Sequence, residues 1–266
     1  MDPFTITAGP GPLVAAAVHD GHAADPDTTA RFALDDLERL REEDPFTAEM
    51  AEVAPARIVG RRSRFEVDLN RPPEAAVYRT PEDAWGLNVW KQDLPESVVT
   101  RSMGLYDAFY DAVGALLDEK VRRYGSVVVY DLHTYNHRRE GPDGPLADPE
   151  ANPEVNIGTG SLDPRWAPLV ERFMRELKEG AQEAGRDDLD VRENVKFKGG
   201  HFSRWIHERY GNGACVIAVE FKKTFMDEWS GEPDRAHLEQ LKAALTHTVP
   251  GTLASREAIM SATADA

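Results

Sequence analysis

Four side chains capable of chemistry stand where predicted strands end. They are the imidazoles of His19 and His133, the carboxylate of Glu220 and the guanidinium of Arg71. Binding sites of open α/β sheets lie beyond the carboxyl ends of the strands. We therefore expect these four groups to converge in space, although they are far apart in the sequence.

Two histidines and one carboxylate would make an open catalytic zinc site. His19 and His133 could each offer one ring nitrogen to the metal and the other to an acceptor behind the ring. The carboxylate could come from the acidic run of residues 42–44, just before Pro45, and the fourth position would be left to water. Either histidine could instead be a satisfied structural residue, and the acidic run could be a solvated helix end.

Glu220 is a carboxylate inside an apolar run, a costly position unless the group is paired or functional. Burial would raise its pKa, which suits a general base that takes a proton from a water activated by a metal. The alternative is a structural ion pair with Lys222, Lys223 or an arginine.

Arg71 follows Asn70 and is itself followed by two prolines, which restrict the backbone on its carboxyl side. Its guanidinium could hold a substrate carboxylate through two parallel hydrogen bonds. Arg64 lies inside a predicted strand and adds positive charge to the same segment. His201 follows two glycines, so a ligand could approach the backbone there.

The elements that must position these groups alternate between strands and helices. We predict strands over residues 13–18, 57–59, 64–69, 126–132, 191–197 and 214–221, and a long loop over residues 72–100. Helical spacing of apolar residues predicts a long helix over 101–124 and further helices that begin near Asp27, Asp163 and Glu232. The strand over 126–132 is apolar on both faces, which is typical of a parallel sheet covered on both sides.

We therefore predict one α/β domain over residues 1–266, with a mixed, mostly parallel β-sheet flanked by helices. The first and last 12 or so residues should be peripheral, and the chain should fray from about Ser255. The sequence does not indicate an oligomeric state.

Composition excludes several classes of function. The single cysteine, Cys215, rules out a disulfide within the chain and a zinc site made of several thiolates, and fits a reducing cytoplasm. A net charge of −16 disfavours nucleic acid as a partner. No long uncharged apolar run predicts a membrane span, and no glycine-rich phosphate motif occurs. A small anionic substrate would need a local cationic pocket that acts against the overall charge.

Three segments resemble the N-formylglutamate amidohydrolase family. They are Ser-Arg-Phe-Glu-Val-Asp-Leu-Asn-Arg-Pro-Pro at 63–73, Val-Val-Tyr-Asp-Leu-His at 128–133, and Val-Glu-Phe at 219–221 followed by Met-Asp-Glu at 226–228. The resemblance covers roughly residues 13–245, and its most specific part is the Asp-Leu-Asn-Arg-Pro-Pro string. The family is related in fold to the zinc carboxypeptidases, of the phosphorylase/hydrolase-like type. The resemblance therefore implies a mixed eight-stranded sheet and one catalytic zinc ion.

The same resemblance implies a role for each site residue. His19 and His133 would be zinc ligands, and Glu220 would be the general base. Asn70 and Arg71 would hold the carboxylate of the substrate.

The third zinc ligand is where this sequence departs from the carboxypeptidase pattern. Those enzymes use a His-x-x-Glu pair, whereas His22 occupies the second place of the pair that begins at His19. The amidohydrolase family uses an acidic motif further along, which points to Glu43 or Asp44. Asp44 aligns better with that motif and is preferred, with His22 as a possible substitute.

The predicted activity is zinc-dependent hydrolysis of the amide bond of an N-acyl amino acid such as N-formyl-L-glutamate. Arg64 would be a second catalytic residue that stabilises the oxyanion. A carboxypeptidase-like metallopeptidase and a non-catalytic binding protein that has lost zinc are the alternatives.

Overall fold

A mixed sheet of seven strands forms the centre of the protein in the computed structural model, which describes residues 2–264. Across the sheet the strands follow the order β1-β3-β2-β4-β7-β5-β6. The neighbours β3, β2, β4 and β7 run parallel, whereas β1 and β5 are antiparallel to β3 and β7. In chain order the strands are β1 (Phe4–Thr7), β2 (Leu13–Ala17), β3 (Ala56–Gly60), β4 (Val127–Tyr135), β5 (Val155–Gly158), β6 (Val191–Glu193) and β7 (Ala214–Lys222).

This architecture confirms the predicted α/β fold class with a mostly parallel sheet. The expectation of eight strands is wrong for the described residues, which supply seven.

Helices cover both faces of the sheet. They are α1 (Pro26–Thr29), α2 (Asp36–Glu42), α3 (Thr47–Met50), α4 (Glu96–Tyr124), α5 (Ala167–Glu183), α6 (His201–Tyr210) and α7 (Arg235–Ala264). One core lies under α5 and α7, where Tyr130 packs on Phe173 with ring centroids 5.1 Å apart. The other lies under α4 and α6 and includes Phe109 and Phe202. Successive side chains of a strand point to opposite faces of the sheet. Because helices cover both faces, β4 is apolar throughout its first half, as predicted.

Within the described residues, none of the helices combines the length and the apolar character that a membrane crossing requires.

The single helix predicted from Asp27 is wrong, because two short helices occupy this region. Asp25 caps α1, and a second cap at Asp35 begins α2. The Asp35 carboxylate accepts from the Glu38 amide at 2.8 Å, and the Glu38 carboxylate accepts from the Asp35 amide at 2.8 Å. This reciprocal capping box fixes a new helix start. Because α2 then ends at Glu42, the next two residues leave the helix towards the sheet.

The strand predicted over residues 64–69 is also wrong. The segment forms turns, with the amides of Glu66 and Val67 both donating to the Ser63 carbonyl. The Asp68 side chain accepts from the Asn70 amide at 2.8 Å and from the Arg64 guanidinium at 2.8 Å. Such local side-chain bonds compete with a strand ladder, so the alternating apolar residues become buried without joining the sheet.

The remaining differences concern element ends and elements that were not predicted. Strand β4 extends through His133 to Tyr135, so the histidine lies inside the strand and pairs in register with Glu220 of β7. Strands β1 and β5 and helices α3 and α6 were not predicted. Helix α7 continues through Ser255 to Ala264, so the predicted fraying is wrong for these residues.

Candidate metal centre and pocket

One pocket brings together the seven residues of the preferred site assignment made from the sequence. The cavity has a volume of about 380 Å³ and opens at the carboxyl ends of the parallel strands β2, β4 and β7. Its lining includes His19, Asp44, Arg64, Asn70, Arg71, His133 and Glu220. The convergence of these residues follows from the parallel arrangement of the strands.

Asp44 lies between the two imidazoles at the floor of the pocket. Its Oδ2 is 3.0 Å from His133 Nδ1 and 3.4 Å from His19 Nδ1, and all three residues are buried. One ligand atom from each residue can be chosen so that all three lie within 4.8 Å of one another. The three residues therefore present a compact set of two nitrogens and one carboxylate oxygen.

This donor set fits a metal ion. Two imidazole nitrogens and a carboxylate oxygen are ligands that zinc accepts. His19 Nδ1 is buried and has no hydrogen-bond partner within the described part of the chain. A buried polar atom without a partner is costly, and a cation held between the three residues would satisfy it.

Each histidine is backed by a carboxylate that the sequence reasoning missed. His19 Nε2 lies 2.7 Å from Asp68 Oδ1, and His133 Nε2 lies 2.9 Å from Asp131 Oδ1. Both rings therefore turn Nδ1 to the centre and Nε2 to an acceptor, the arrangement that orients metal-binding histidines. The role of Asp131 could have been predicted from the sequence, because it lies two residues before His133 on a strand, and such residues face the same side. The Ser203 hydroxyl donates to Asp131 at 2.8 Å and supports it.

Burial and neighbouring charges act in opposite directions on the pKa values of Asp44 and His133, and the charges prevail. Burial alone would raise the pKa of Asp44, but the neighbouring imidazoles of His133 and His19 outweigh it and hold the pKa below its ordinary value. Burial alone would lower the pKa of His133, but the Asp131 and Glu220 carboxylates raise it well above its ordinary value. The cluster thus carries buried negative charge that favours a cation between its members.

Asp44 is the acidic residue that the structure brings to the histidine pair. The preceding residue, Glu43, has extended backbone and points the other way, where its carboxylate lies 2.6 Å from His22 Nδ1 and accepts from the Ser63 hydroxyl. Adjacent residues in extended backbone face opposite sides. Glu43 and His22 are thus bound to each other, away from the His19–His133 pair.

Glu220 faces this cluster from β7 and is 9% exposed. Burial raises the pKa of its carboxyl to about 7, against the opposing charge of His133. The structural ion pair considered from the sequence is not formed with the two following lysines. Lys222 donates to the Asn152 carbonyl at 2.8 Å, and Lys223 donates to the Glu43 carbonyl at 2.7 Å. A carboxyl group with a pKa near neutrality can both take and give a proton.

Arg64 and Arg71 line the same wall beside Trp85, but only one has a carboxylate partner. The Arg64 guanidinium donates to Asp68 Oδ2 at 2.8 and 3.2 Å and lies 4.8 Å from the Trp85 ring centroid. Arg71 contacts the Asp83 carbonyl at 3.4 Å, and no ion pair within residues 2–264 involves it. Arg71 is therefore free to bind an anion, whereas Arg64 is bound to Asp68, the carboxylate behind His19.

Asn70 is clamped between the metal centre and the start of α6. Its carbonyl Oδ1 accepts from the Phe202 amide at 2.8 Å, and its Nδ2 lies 3.3 Å from His133 Nε2. A Cβ added to Gly200 would lie 2.2 Å from both terminal atoms of Asn70. We expected a ligand to approach the backbone at these glycines; the group that approaches Gly200 is the Asn70 side chain.

A model of the N-formylglutamate amidohydrolase family matches residues 11–226, which is most of the chain and includes every residue of the pocket described above. The chain belongs to the N-formylglutamate amidohydrolase family. The resemblance drawn from the three sequence segments is thereby confirmed. The family name denotes hydrolysis of an amide bond, so membership supports amidohydrolase activity.

Two solved structures share the fold of this chain over nearly their whole length. An N-formylglutamate amidohydrolase from Ralstonia eutropha JMP134 is 19% identical with a TM-score of 0.76, and the match covers 97% of this chain and 100% of that one. A gene product from Agrobacterium tumefaciens is 19% identical with a TM-score of 0.64, over 92% and 95% of the two chains. A metallo-carboxypeptidase from Burkholderia cenocepacia is 14% identical with a TM-score of 0.37, over 91% and 56%. Among curated protein sequences, none matches this chain significantly.

Gly200→Ala tests the packing that holds Asn70 in this pocket. The Gly200 backbone, at φ −90° and ψ −165°, suits alanine, so the clash with Asn70 is the only expected defect. We expect a loss of about 1–3 kcal/mol in the free energy of unfolding, because overpacking forces neighbours to move. Chemical denaturation measures this loss.

Gly104→Ala in α4 is the matched control, because nothing lies within 4 Å of the added Cβ. It should be neutral or stabilise the helix by up to about 1 kcal/mol. If Gly200→Ala were as stable as the wild-type protein, Asn70 would not be held as described.

Proposed function

We propose that this protein is a zinc-dependent hydrolase of N-acyl amino acids, with N-formyl-L-glutamate as the first candidate substrate. The observation that carries the proposal is the meeting of His19, Asp44 and His133 beside Glu220, in a pocket that also holds the free cation Arg71. The pocket thus combines a metal donor set, a proton carrier and an anion-binding group.

His19 and His133 would hold the ion through Nδ1, and Asp44 through a carboxylate oxygen. When bound, the ion would supply Lewis acidity, which would polarise the scissile carbonyl and lower the pKa of water towards about 7. Three protein ligands leave room for the reacting groups, as catalytic zinc sites require.

Glu220 is proposed to move the proton. Its carboxylate takes a proton from the attacking water as the new C–O bond forms, and passes it to the nitrogen as the C–N bond breaks. The products are the carboxylic acid of the acyl group, formic acid for an N-formyl substrate, and the free amino acid. A pKa of about 7 lets one residue perform both transfers at neutral pH.

The arginines and Asn70 are proposed to bind substrate. Arg71 would hold the α-carboxylate through two parallel hydrogen bonds, with the Asn70 amide beside it. Arg64 lines the same wall and is proposed to stabilise the negative charge that develops on the carbonyl oxygen. A cationic pocket in a chain of net charge −16 supports a small anionic substrate.

A panel of N-formyl, N-acetyl and N-succinyl amino acids tests the proposal on purified protein. We expect about one zinc ion per chain by elemental analysis, release of free amino acid from the N-formyl substrates, and loss of activity on chelation that added zinc restores. C-terminal trimming of peptides instead would indicate a metallopeptidase. Absence of stoichiometric zinc, together with activity that ignores chelator, would overturn the proposal.

A further inference from the structure

Lys196 is a cation of the pocket that the proposed reaction does not use. Lys196 lines the cavity from the segment between β6 and α6, whereas Arg71 lines it from the segment between β3 and α4. The two cations therefore reach the same cavity from separate parts of the fold.

Neutral groups hold the Lys196 side chain in place. Its ammonium group donates to the Asn152 amide oxygen at 2.6 Å and lies 5.4 Å and 5.6 Å from the ring centroids of Tyr135 and Phe197. No ion pair within residues 2–264 involves Lys196. Partial burial and the nearby Arg139 lower the pKa of Lys196. An incoming carboxylate would therefore supply the negative partner that the protein itself does not.

The backbone of Lys196 and Phe197 is hydrogen-bonded to strand β5. Asn156 Oδ1 accepts from the Lys196 amide at 2.8 Å, and Asn156 Nδ2 donates to the Phe197 carbonyl at 2.8 Å. Asn156 pairs in register with Glu220 across β5 and β7. Lys196 is thus held at a defined place relative to the proposed general base.

Four other cations of the pocket already have partners. Arg64 is bonded to Asp68, and Lys223 donates to backbone carbonyls. Arg41 and Arg139 lie 3.8 Å and 3.6 Å from Glu42.

Lys198 lines the pocket as well, but no hydrogen bond or ion pair fixes its ammonium group within the described chain. Lys196 is therefore the better-placed candidate for a second anion-binding group.

We propose that Lys196 determines specificity by binding a second carboxylate, on the side chain of the N-acyl amino acid. This inference rests on the proposed function, in which Arg71 holds the α-carboxylate. The preferred substrates are then N-acyl derivatives of dicarboxylic amino acids, and neutral analogues of equal size bind more weakly.

The test compares Lys196→Gln with the wild-type holoenzyme on N-formyl-L-glutamate and on N-formyl-L-glutamine, which has nearly the same shape without the side-chain charge. We expect KM for the glutamate substrate to rise about 10-fold or more, since a hydrogen bond between charged groups is lost. The value of kcat should change little, and the glutamine substrate should be unaffected. Lys178→Gln, an exposed lysine of α5, is the control with the same loss of charge and should match wild type.

Two further measurements make the result decisive. Calorimetric binding of L-glutamate and L-glutamine tests the lysine without turnover, and only glutamate should bind more weakly to Lys196→Gln. The charge reversal Lys196→Glu should shift preference towards N-formyl-L-lysine.

The proposal is overturned if Lys196→Gln affects both substrates equally, or if Lys198→Gln alone causes the selective loss. If wild type hydrolyses no N-acyl amino acid, the proposed function fails, and the calorimetric comparison alone decides the role of Lys196.

Discussion

Replacing His133 with alanine is expected to abolish stoichiometric zinc binding. The imidazole supplies one of three ligand atoms, and two protein ligands do not make a zinc site of either the structural or the catalytic type. Substitution of a residue behind a ligand already costs roughly 10–100-fold in affinity, so removal of the ligand itself should cost more. Competition with a chromophoric chelator, followed by elemental analysis after dialysis, measures the loss.

His247→Ala is the matched control for His133→Ala. His247 lies on α7 and pairs with Glu183 at 3.3 Å, away from the pocket lining. It should bind zinc with wild-type affinity. Thermal unfolding of both variants without metal separates loss of the ligand from loss of the fold. If folded His133→Ala kept one zinc ion with unchanged affinity, the proposed metal centre would be wrong.

Glu220→Gln is expected to retain zinc and lose turnover. The amide has nearly the same shape as the carboxyl but cannot take a proton from water, so we expect kcat to fall by about 10²–10⁴-fold. Zinc content should remain about one per chain, because Glu220 is outside the His19, Asp44 and His133 set. Steady-state kinetics with N-formyl-L-glutamate, beside elemental analysis, measures both expectations.

The control for this second variant is Glu171→Gln, an exposed glutamate of α5 that loses the same charge at a distance from the pocket. It should keep both zinc and activity. Full activity of Glu220→Gln would mean that another group moves the proton. Loss of zinc together with activity would mean that Glu220 belongs to the metal centre itself.

The two variants should differ in binding as well as in rate. His133→Ala removes the metal, so both substrate affinity and turnover should fall. Glu220→Gln leaves the metal and Arg71 in place, so affinity for substrate should persist while turnover is lost. This contrast distinguishes a metal ligand from a proton carrier.

The sequence predicted the central strands, and the convergence of the two histidines at their ends, for a physical reason. Strands β2, β4 and β7 are buried on both faces and must be apolar along most of their length. A charged or imidazole side chain within or just after such a run is conspicuous, which is how His19, His133 and Glu220 were found. Parallel strands end on the same side, so their convergence did not depend on knowing the loops.

The predictions from the sequence were wrong where local hydrogen bonds override the periodic pattern of apolar residues. The apolar residues of 64–69 alternate as in a strand, but the Asp68 carboxylate binds the Asn70 amide and the Arg64 side chain and closes turns instead. The Asp35 capping box likewise starts a helix in the middle of what had been predicted as one helix. Such side-chain bonds depend on a specific rotamer, and a periodicity of apolar residues contains no information about it.

The sequence by itself determined the fold class, the family and the group of residues that gather at the ends of the central strands. Only the tertiary structure decided which acidic residue lies between the histidines, because Glu43 turns away to His22 and Ser63 while Asp44 remains. It also revealed Asp68 and Asp131 behind the rings, and Lys196 at the pocket. Asp131 is two residues from its histidine, but the other assignments depend on contacts between residues distant in sequence, which exist only after the chain has packed.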